Sequence, residues 1–207
     1  MTKGIRAVSK DKKLVALRRE HIARRAATIF IKKGYDQTGV REIAAACNMS
    51  MGALYNYVGS KEDILFLVIQ YCTSGFKDFH LKVVTKFSHM SPTQGLREAI
   101  GFYCTLVDST DKAVLFAYLE TKRLPEKYRE AALTAELDVM LKFEELLSRG
   151  CKTGEFRIAN VKMVALSITT LCEIWATRRR FLGKAVTLQD YINEQTDNIL
   201  RAIVKHD

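Results

Sequence analysis

The sequence predicts an all-α protein of about nine helices, with a small N-terminal three-helix module followed by a larger helical body. Three observations carry that reading. Apolar residues recur at three- and four-residue spacing, as in Ile22, Ala26, Ile29 and Phe30. Runs of alternating β-branched residues are few. The two prolines, Pro92 and Pro125, fall where helices would open, not inside them.

The first helix spans about Lys12 to Lys33 and stops at Gly34, which tolerates the positive φ of a helix C-terminus. A short second helix covers about Val40 to Cys47, with Thr38 placed to cap it. Asn48-Met49 makes a turn, and Ser50 caps a third helix through Tyr57. Ser60 caps a longer fourth helix whose first turn carries Glu62 and Asp63, favourable at the positive end of the helix dipole. Ser91-Pro92 opens the fifth helix and Asp111 the sixth. Pro125 opens a long seventh, to about Gly150. Asn160 begins an apolar eighth helix reaching Leu182, and Thr187 to Lys205 is the ninth. No internal repeat or low-complexity stretch interrupts this series.

With 48% apolar and 27% charged residues, the composition is that of a soluble globular protein. Apolar stretches end well short of the roughly 18 residues a membrane span needs, and the basic N-terminus has no apolar leader core, so a cytoplasmic protein is expected. Cys47, Cys72, Cys104, Cys151 and Cys172 are scattered singly, which argues against a disulfide framework or zinc site. They read as small buried hydrophobes or as redox sensors. His80 and His89 lack supporting carboxylates, so neither metal nor cofactor is expected.

Charge is concentrated at one end. Residues 1–61 hold 13 Lys/Arg against 4 Asp/Glu, a net of +9, whereas residues 62–207 are near neutral with 20 against 19. A basic segment on a neutral body suits a module that meets polyanionic phosphate. Lys3, Arg6, Lys10, Lys12, Lys13, Arg18 and Arg19 form a basic arm that either touches phosphate or the minor groove, or is simply solvated.

Between Thr38 and Lys61 two short helices meet at a tight turn. Ile43, Ala44 and Leu54 form the small core between them, and Ala44, Ala45 and Ala46 permit close crossing. A helix this short can enter the DNA major groove with side chains near its N-terminus on base edges. Ile43-Ala44, Ser50, Gly52, Leu54-Tyr55, Tyr57, Lys61-Glu62 and Leu65 hold their spacing across a whole module. On these residues the stretch 18–65 resembles the TetR family of bacterial transcriptional regulators. Gly39, Met49 and Val58 depart from the family pattern. Gly39 removes a hydroxyl that could touch phosphate, and the other two alter packing.

The resemblance implies a basic arm (1–17), a helix-turn-helix domain (18–65, motif about 41–60) and an effector-binding and dimerisation domain (66–207). It implies phosphate contacts from Thr38, Tyr57 and Lys61, and contacts to bases or groove wall from Met51, Gly52, Ala53, Tyr55 and Asn56, with Arg41 in the same DNA-contacting set. Tyr55 has the alternative of burial between helices. Asn56 is the main polar reader. Met51 and Ala53 suit thymine methyls.

The resemblance further implies a pocket among helices four to seven and a homodimer through helices eight and nine, bound to an inverted-repeat operator. Phe66, Tyr71, Phe76, Phe79, Phe102, Tyr103, Phe116, Tyr118, Met140, Phe143 and Trp175 are either pocket lining or ordinary core. Their abundance favours an apolar effector. Val164, Ile168, Leu171, Cys172 and Trp175 make an apolar face on the eighth helix, and Ile192, Ile199, Leu200 and Ile203 make one on the ninth. Either face meets a second copy or packs within its own subunit. Arg178-Arg179-Arg180 is a solvated helix end or an anion-binding rim, and the rim would suit an acyl-coenzyme A. Leu119-Glu120-Thr121 and Gly154-Glu155-Phe156 resemble TetR-type regulators of fatty-acid, steroid or aromatic degradation. Repression is the family default. An architectural DNA-binding protein without effector is the alternative. No HExxH, phosphate-binding Gly loop or nucleophile elbow points to an enzyme.

Overall fold

A computed structural model describes residues 5, 8, 11–110, 112–182 and 185–205. Among them are ten α-helices and two single 3₁₀ turns: α1 (Lys12–Lys33), α2 (Val40–Ala46), α3 (Met51–Tyr55), α4 (Lys61–Cys72), α5 (Phe76–Thr85), α6 (Pro92–Ser109), α7 (Lys112–Thr121), α8 (Glu126–Thr153), α9 (Val161–Arg178) and α10 (Leu188–Ile203). The helical fold class and its N-terminal three-helix module are as expected. Asp111, the expected start of α7, and Lys3, Arg6 and Lys10 of the arm lie outside the described residues.

Local chemistry accounts for most boundaries. Asp11 Oδ1 accepts from the Lys13 and Leu14 amides and so caps α1, and Gly34 ends that helix at φ +90°, a value that favours glycine. Ser50, Ser60, Ser91 and Asn160 each accept from a backbone amide three residues on, opening α3, α4, α6 and α9. Thr187 and Asp190 complete a capping box on α10.

One predicted helix is two. The stretch after Ser60 breaks at residues 73–75 into α4 and α5. The Thr73 hydroxyl donates to the Ile69 carbonyl and the Ser74 hydroxyl to that of Tyr71, offering the backbone an alternative to continued helix. At Gly75 a Cβ would overlap the end of the Leu106 side chain of α6, so any larger residue there would require Leu106 to shift.

The chain forms two compact units that do not follow its order. The first runs through Ser74 and also takes Lys112–Thr134; the second comprises Gly75–Asp111 and Ala135–Asp207. In the first, Ile22, Ala26 and Phe30 of α1 are buried with Ile43, Leu54, Val58, Ile64, Leu65 and Val68. Phe116 of α7 stacks 6.1 Å from Phe30, and Tyr128 of α8 stacks 4.3 Å from Phe66. In the second, Phe79 lies 5.2 Å from Tyr103 and 5.0 Å from Phe143. Ile100, Leu147, Ile168 and Cys172 of the same unit are buried as well.

The second unit is closed by its chain end. The Arg157 amide donates to the Ile203 carbonyl (2.7 Å), the Lys205 amide donates to that of Glu155 (2.9 Å), and Phe156 pairs with Val204 in an isolated antiparallel bridge. Glu155 also accepts from the amide and hydroxyl of Thr93 in the first turn of α6. Phe156 lies so close over Gly150 that a Cβ there would enter its ring. Gly150→Ala is therefore expected to cost about 1–3 kcal/mol, the usual range for overpacking. Urea denaturation followed by circular dichroism measures it, and an unchanged midpoint would contradict the tight seating of Phe156.

Candidate functional site

Helix α3 is only five residues long, too short to be stable alone. Its pose comes from its setting. Leu54 and Val58 are fully buried, and Met51 and Tyr57 are partly packed against the same core. Asn48, at φ +55°, adopts the left-handed turn that reverses the chain between α2 and α3. The opposite side of α3 is presented outward. Gly52, Tyr55 and Asn56, related by three- and four-residue steps, are exposed, and Met51 and Ala53 are half-buried beside them. Tyr55 keeps 44% of its surface accessible, so the alternative of burial between helices does not hold. Arg41 on α2 is exposed.

Two expected anchors differ from the sequence reading. Thr38 is only 1% exposed, and its hydroxyl donates to the Gly34 carbonyl at 2.8 Å. It braces the turn after α1 instead of capping α2, whose N-cap is Gly39 without any side-chain bond. Burial leaves its side chain no surface for a phosphate. Arg19 is not a solvated arm residue either, because it is 8% exposed inside the first unit. Lys61 is half-buried, with its ammonium 4.3 Å from the centroid of the Tyr35 ring. Burial first, then the nearby Glu62 and Asp36 carboxylates, push the Tyr35 hydroxyl up to about 12.

Four polar residues of this unit have roles that the sequence reading does not reach. Arg123 pairs with Asp36 (2.9 Å) and Glu120 (2.7 Å), tying the α7–α8 connection to the α1–α2 turn. Arg19, Asp63 and Tyr128 form a buried polar group behind α3. A signal for Arg19 was present: it stands in the phase of Val15, Ile22 and Ala26, so a charge interrupts an otherwise apolar stripe.

The expected effector-lining residues divide. Phe76, Phe79, Tyr103 and Phe143 cluster in the second unit with the half-buried Phe102, Met140 is half-buried in the same unit, and Trp175 is buried there against Tyr191. Phe116 belongs instead to the core of the first unit, as does Phe66, and Tyr118 is 64% exposed; neither Phe116 nor Tyr118 joins the cluster. Helical spacing gave the face of each residue but not the core it meets.

Two polar features enter this aromatic interior. The Tyr103 hydroxyl donates to Glu173 at 2.9 Å. Burial pushes the Glu173 carboxyl up to about 7; the Tyr103 bond opposes this and the charge of Glu136 adds to it. Asp108 accepts from Trp175 Nε1 at 2.8 Å and from Arg179 at 2.6 Å, so the middle arginine of the 178–180 run is turned onto Asp108. Arg178 and Arg180 lie near the exposed ring of Phe181. Four of the cysteines are buried, and burial raises the thiols of Cys47, Cys72 and Cys172, which suits small hydrophobes over redox sensors.

The two faces expected to meet a second copy are largely used internally. Ile168 of α9 is fully buried, and Ile192 and Ile203 of α10 are buried in the same unit. Val164, Leu171 and Ile199 are half-buried. The exposed apolar stripe of α9 is a different one, formed by Met163, Leu166 and Ile174.

Known proteins share this arrangement. A family model described as bacterial regulatory proteins of the tetR family matches residues 22–68, and a tetracyclin repressor-like C-terminal domain matches residues 89–177. The chain belongs to the TetR family. It is thus a DNA-binding transcriptional regulator and not an enzyme. The HTH-type transcriptional regulator HbdR of Aromatoleum sp. (strain CIB) is 29% identical over 192 residues, covering 92% of this chain and 82% of HbdR. A tetR-family regulatory protein from Rhodococcus RHA1 superposes with a TM-score of 0.77 at 21% identity, covering 92% and 98% of the two chains. AibR, solved in complex with isovaleryl coenzyme A and operator DNA, gives 0.72 at 22% identity, covering 87% and 97%. At these identities the two structures establish the shared TetR fold. Among the described residues no helix is long and apolar enough to cross a membrane.

The Glu173 carboxyl yields a pH prediction. Its pKa is raised in the folded protein from an ordinary 4.5, so its favourable contribution is complete below that value and is lost as pH rises through about 7. Relative to Glu173→Gln, the wild type should lose up to about 3 kcal/mol of unfolding free energy between pH 4.5 and 8. Parallel denaturation curves across that range test this, and parallel pH profiles for the two proteins would refute it.

Proposed function

We propose that the protein is a homodimeric repressor that reads an inverted-repeat operator through α3 and releases it on binding a small apolar effector. The observation that carries the DNA reading is the exposed Gly52–Tyr55–Asn56 face on a helix whose other side is fully buried. Asn56 supplies donor and acceptor for an adenine edge, Met51 and Ala53 suit thymine methyls, and Arg41, Tyr57 and Lys61 serve phosphates. One such helix meets too few bases to be selective, so twofold repetition on DNA is the natural arrangement. Met163, Leu166 and Ile174 on α9 are proposed as the surface that a second copy covers, with the half-buried Val164, Leu171 and Ile199 at its margins.

An effector with an apolar acyl or aromatic body suits the Phe102 and Met140 surroundings in the second unit. An acyl-coenzyme A is the leading candidate, supported by the isovaleryl coenzyme A complex of AibR and by the exposed Arg178 and Arg180. Duplexes selected from a random pool by the full-length protein should converge on an inverted repeat. A panel of acyl-coenzyme A thioesters of increasing chain length should include members that raise the melting temperature and release that duplex. Selection without a repeat would refute the operator reading, and a panel with neither effect would refute the effector class.

The dimer surface has its own test. Leu166→Glu combined with Ile174→Glu should leave helical circular dichroism intact and shift the sedimenting species to the monomer, because both side chains are already solvent-exposed in one subunit. An unchanged dimer would place the interface elsewhere.

A further inference from the structure

Behind α3 lies a buried group of polar residues that no part of the DNA-contacting surface accounts for. Asp63, in the first turn of α4, is buried and uses both carboxylate oxygens: Oδ2 accepts from the Gly59 amide at 2.7 Å, and Oδ1 from the Tyr128 hydroxyl at 2.5 Å. Arg19 of α1 is buried on the same side, where burial lowers its pKa and the charge of Asp63 opposes that lowering. The Arg19 guanidinium donates through Nε to the Tyr57 carbonyl at 3.0 Å and through Nη2 to the Ile5 carbonyl at 2.9 Å. The adjacent Asn56 carbonyl accepts from the Val8 amide at 2.9 Å. The two carbonyls that leave α3, Asn56 and Tyr57, are therefore each held by a donor from outside the motif.

We infer that Tyr128 is a positioning residue for the recognition helix, acting through Asp63 and Arg19, and that it makes the first turn of α8 part of the DNA-reading apparatus. The inference rests on the DNA-binding role of α3. Its physical basis is that a buried carboxylate needs its donors, so losing one shifts the others. The Tyr128 ring stacks nearly parallel on Phe66 at 4.3 Å, which aims the hydroxyl and lets it move only with α8. Gly59, the amide bound to Asp63, is the third residue after Asn56, so a displaced Asp63 acts on the segment that ends the recognition helix. The helix that carries Tyr128 continues through Met140 and Phe143 of the second unit. The helix whose first turn holds Tyr128 is thus the same one that carries Met140 and Phe143.

The test uses full-length protein, the duplex that the wild type selects from a random pool, and a scrambled duplex of equal composition. Tyr128→Phe keeps the ring and its stacking and removes only the donor. Its preference for the selected over the scrambled duplex should fall about tenfold or more, with affinity for scrambled DNA and the salt dependence of binding unchanged, because phosphate contacts are untouched. A folded Tyr128→Phe protein with unaltered preference overturns the inference while leaving the DNA reading intact. A wild type that selects no duplex overturns both. Should the variant fail to fold, hydrogen exchange in the wild type decides. Coupling is reciprocal, so the selected duplex, but not the scrambled one, should slow exchange at residues 126–132 as well as at 56–60. No change at 126–132 overturns the inference.

Discussion

A five-residue helix can read DNA only if something else holds it, and here that is the apolar contact between α1 and α4. Ile22, Ala26 and Phe30 face Ile64, Leu65 and Val68, and all are almost wholly removed from water. Leu54 and Val58 insert into the same core and fix which side of α3 turns outward. Burying each large aliphatic side chain contributes about 1.5–3 kcal/mol, so two such anchors outweigh the intrinsic instability of so short a helix. The outward residues are then free to be chosen for DNA, since none of them holds the fold together. The Asn48 turn and the Ser50 and Ser60 caps refine this arrangement by satisfying backbone groups that the short helices leave open.

Charge divides along the same line. Nearly all the positive excess lies in residues 1–61, but its members do different work. Arg41 is exposed where phosphate can reach it, Lys33 is paired with Glu42, and Arg19 is buried and spends its donors on backbone carbonyls. Counting charge therefore identifies the module that meets a polyanion but overstates the number of cations that can do so. A buried arginine that satisfies carbonyls acts on specificity through geometry, whereas an exposed one acts on affinity through counterion release.

What the sequence makes legible is whatever is decided within a few residues. Caps, the glycine stop of α1, the proline start of α6 and the spacing from Ile43 to Leu65 are local, and they carried the fold class and the recognition motif. What it conceals depends on partners far along the chain. Phe116 and Phe143 look alike in sequence, yet one packs on Phe30 and the other on Phe79, because Lys112–Thr134 leaves its neighbours to join the first unit. Thr38 looks like a cap in sequence because Thr before a helix often is one. Its hydroxyl found the Gly34 carbonyl instead, an acceptor exposed by the end of the preceding helix. The break at residues 73–75 was hidden by continuous apolar spacing and shows only in the adjacent Thr-Ser-Gly.

The same logic explains why α9 misleads a reader of helical faces. It has two apolar stripes. Ala165, Ile168, Cys172 and Trp175 face inward, and Met163, Leu166 and Ile174 face outward. A helix apolar on both sides has little amphipathic contrast, so periodicity cannot say which stripe is internal. The core decides that. Trp175 must bring its indole N–H to Asp108, and Cys172 lies against Cys104 of α6, which fixes the helix's rotation about its axis. With that rotation set, the second stripe is left in water at a cost the isolated subunit has no means to offset. An apolar stripe separate from the residues its own core consumes is what a symmetric partner would cover. That is why the proposed dimer surface rests on Leu166 and Ile174 rather than on Ile168.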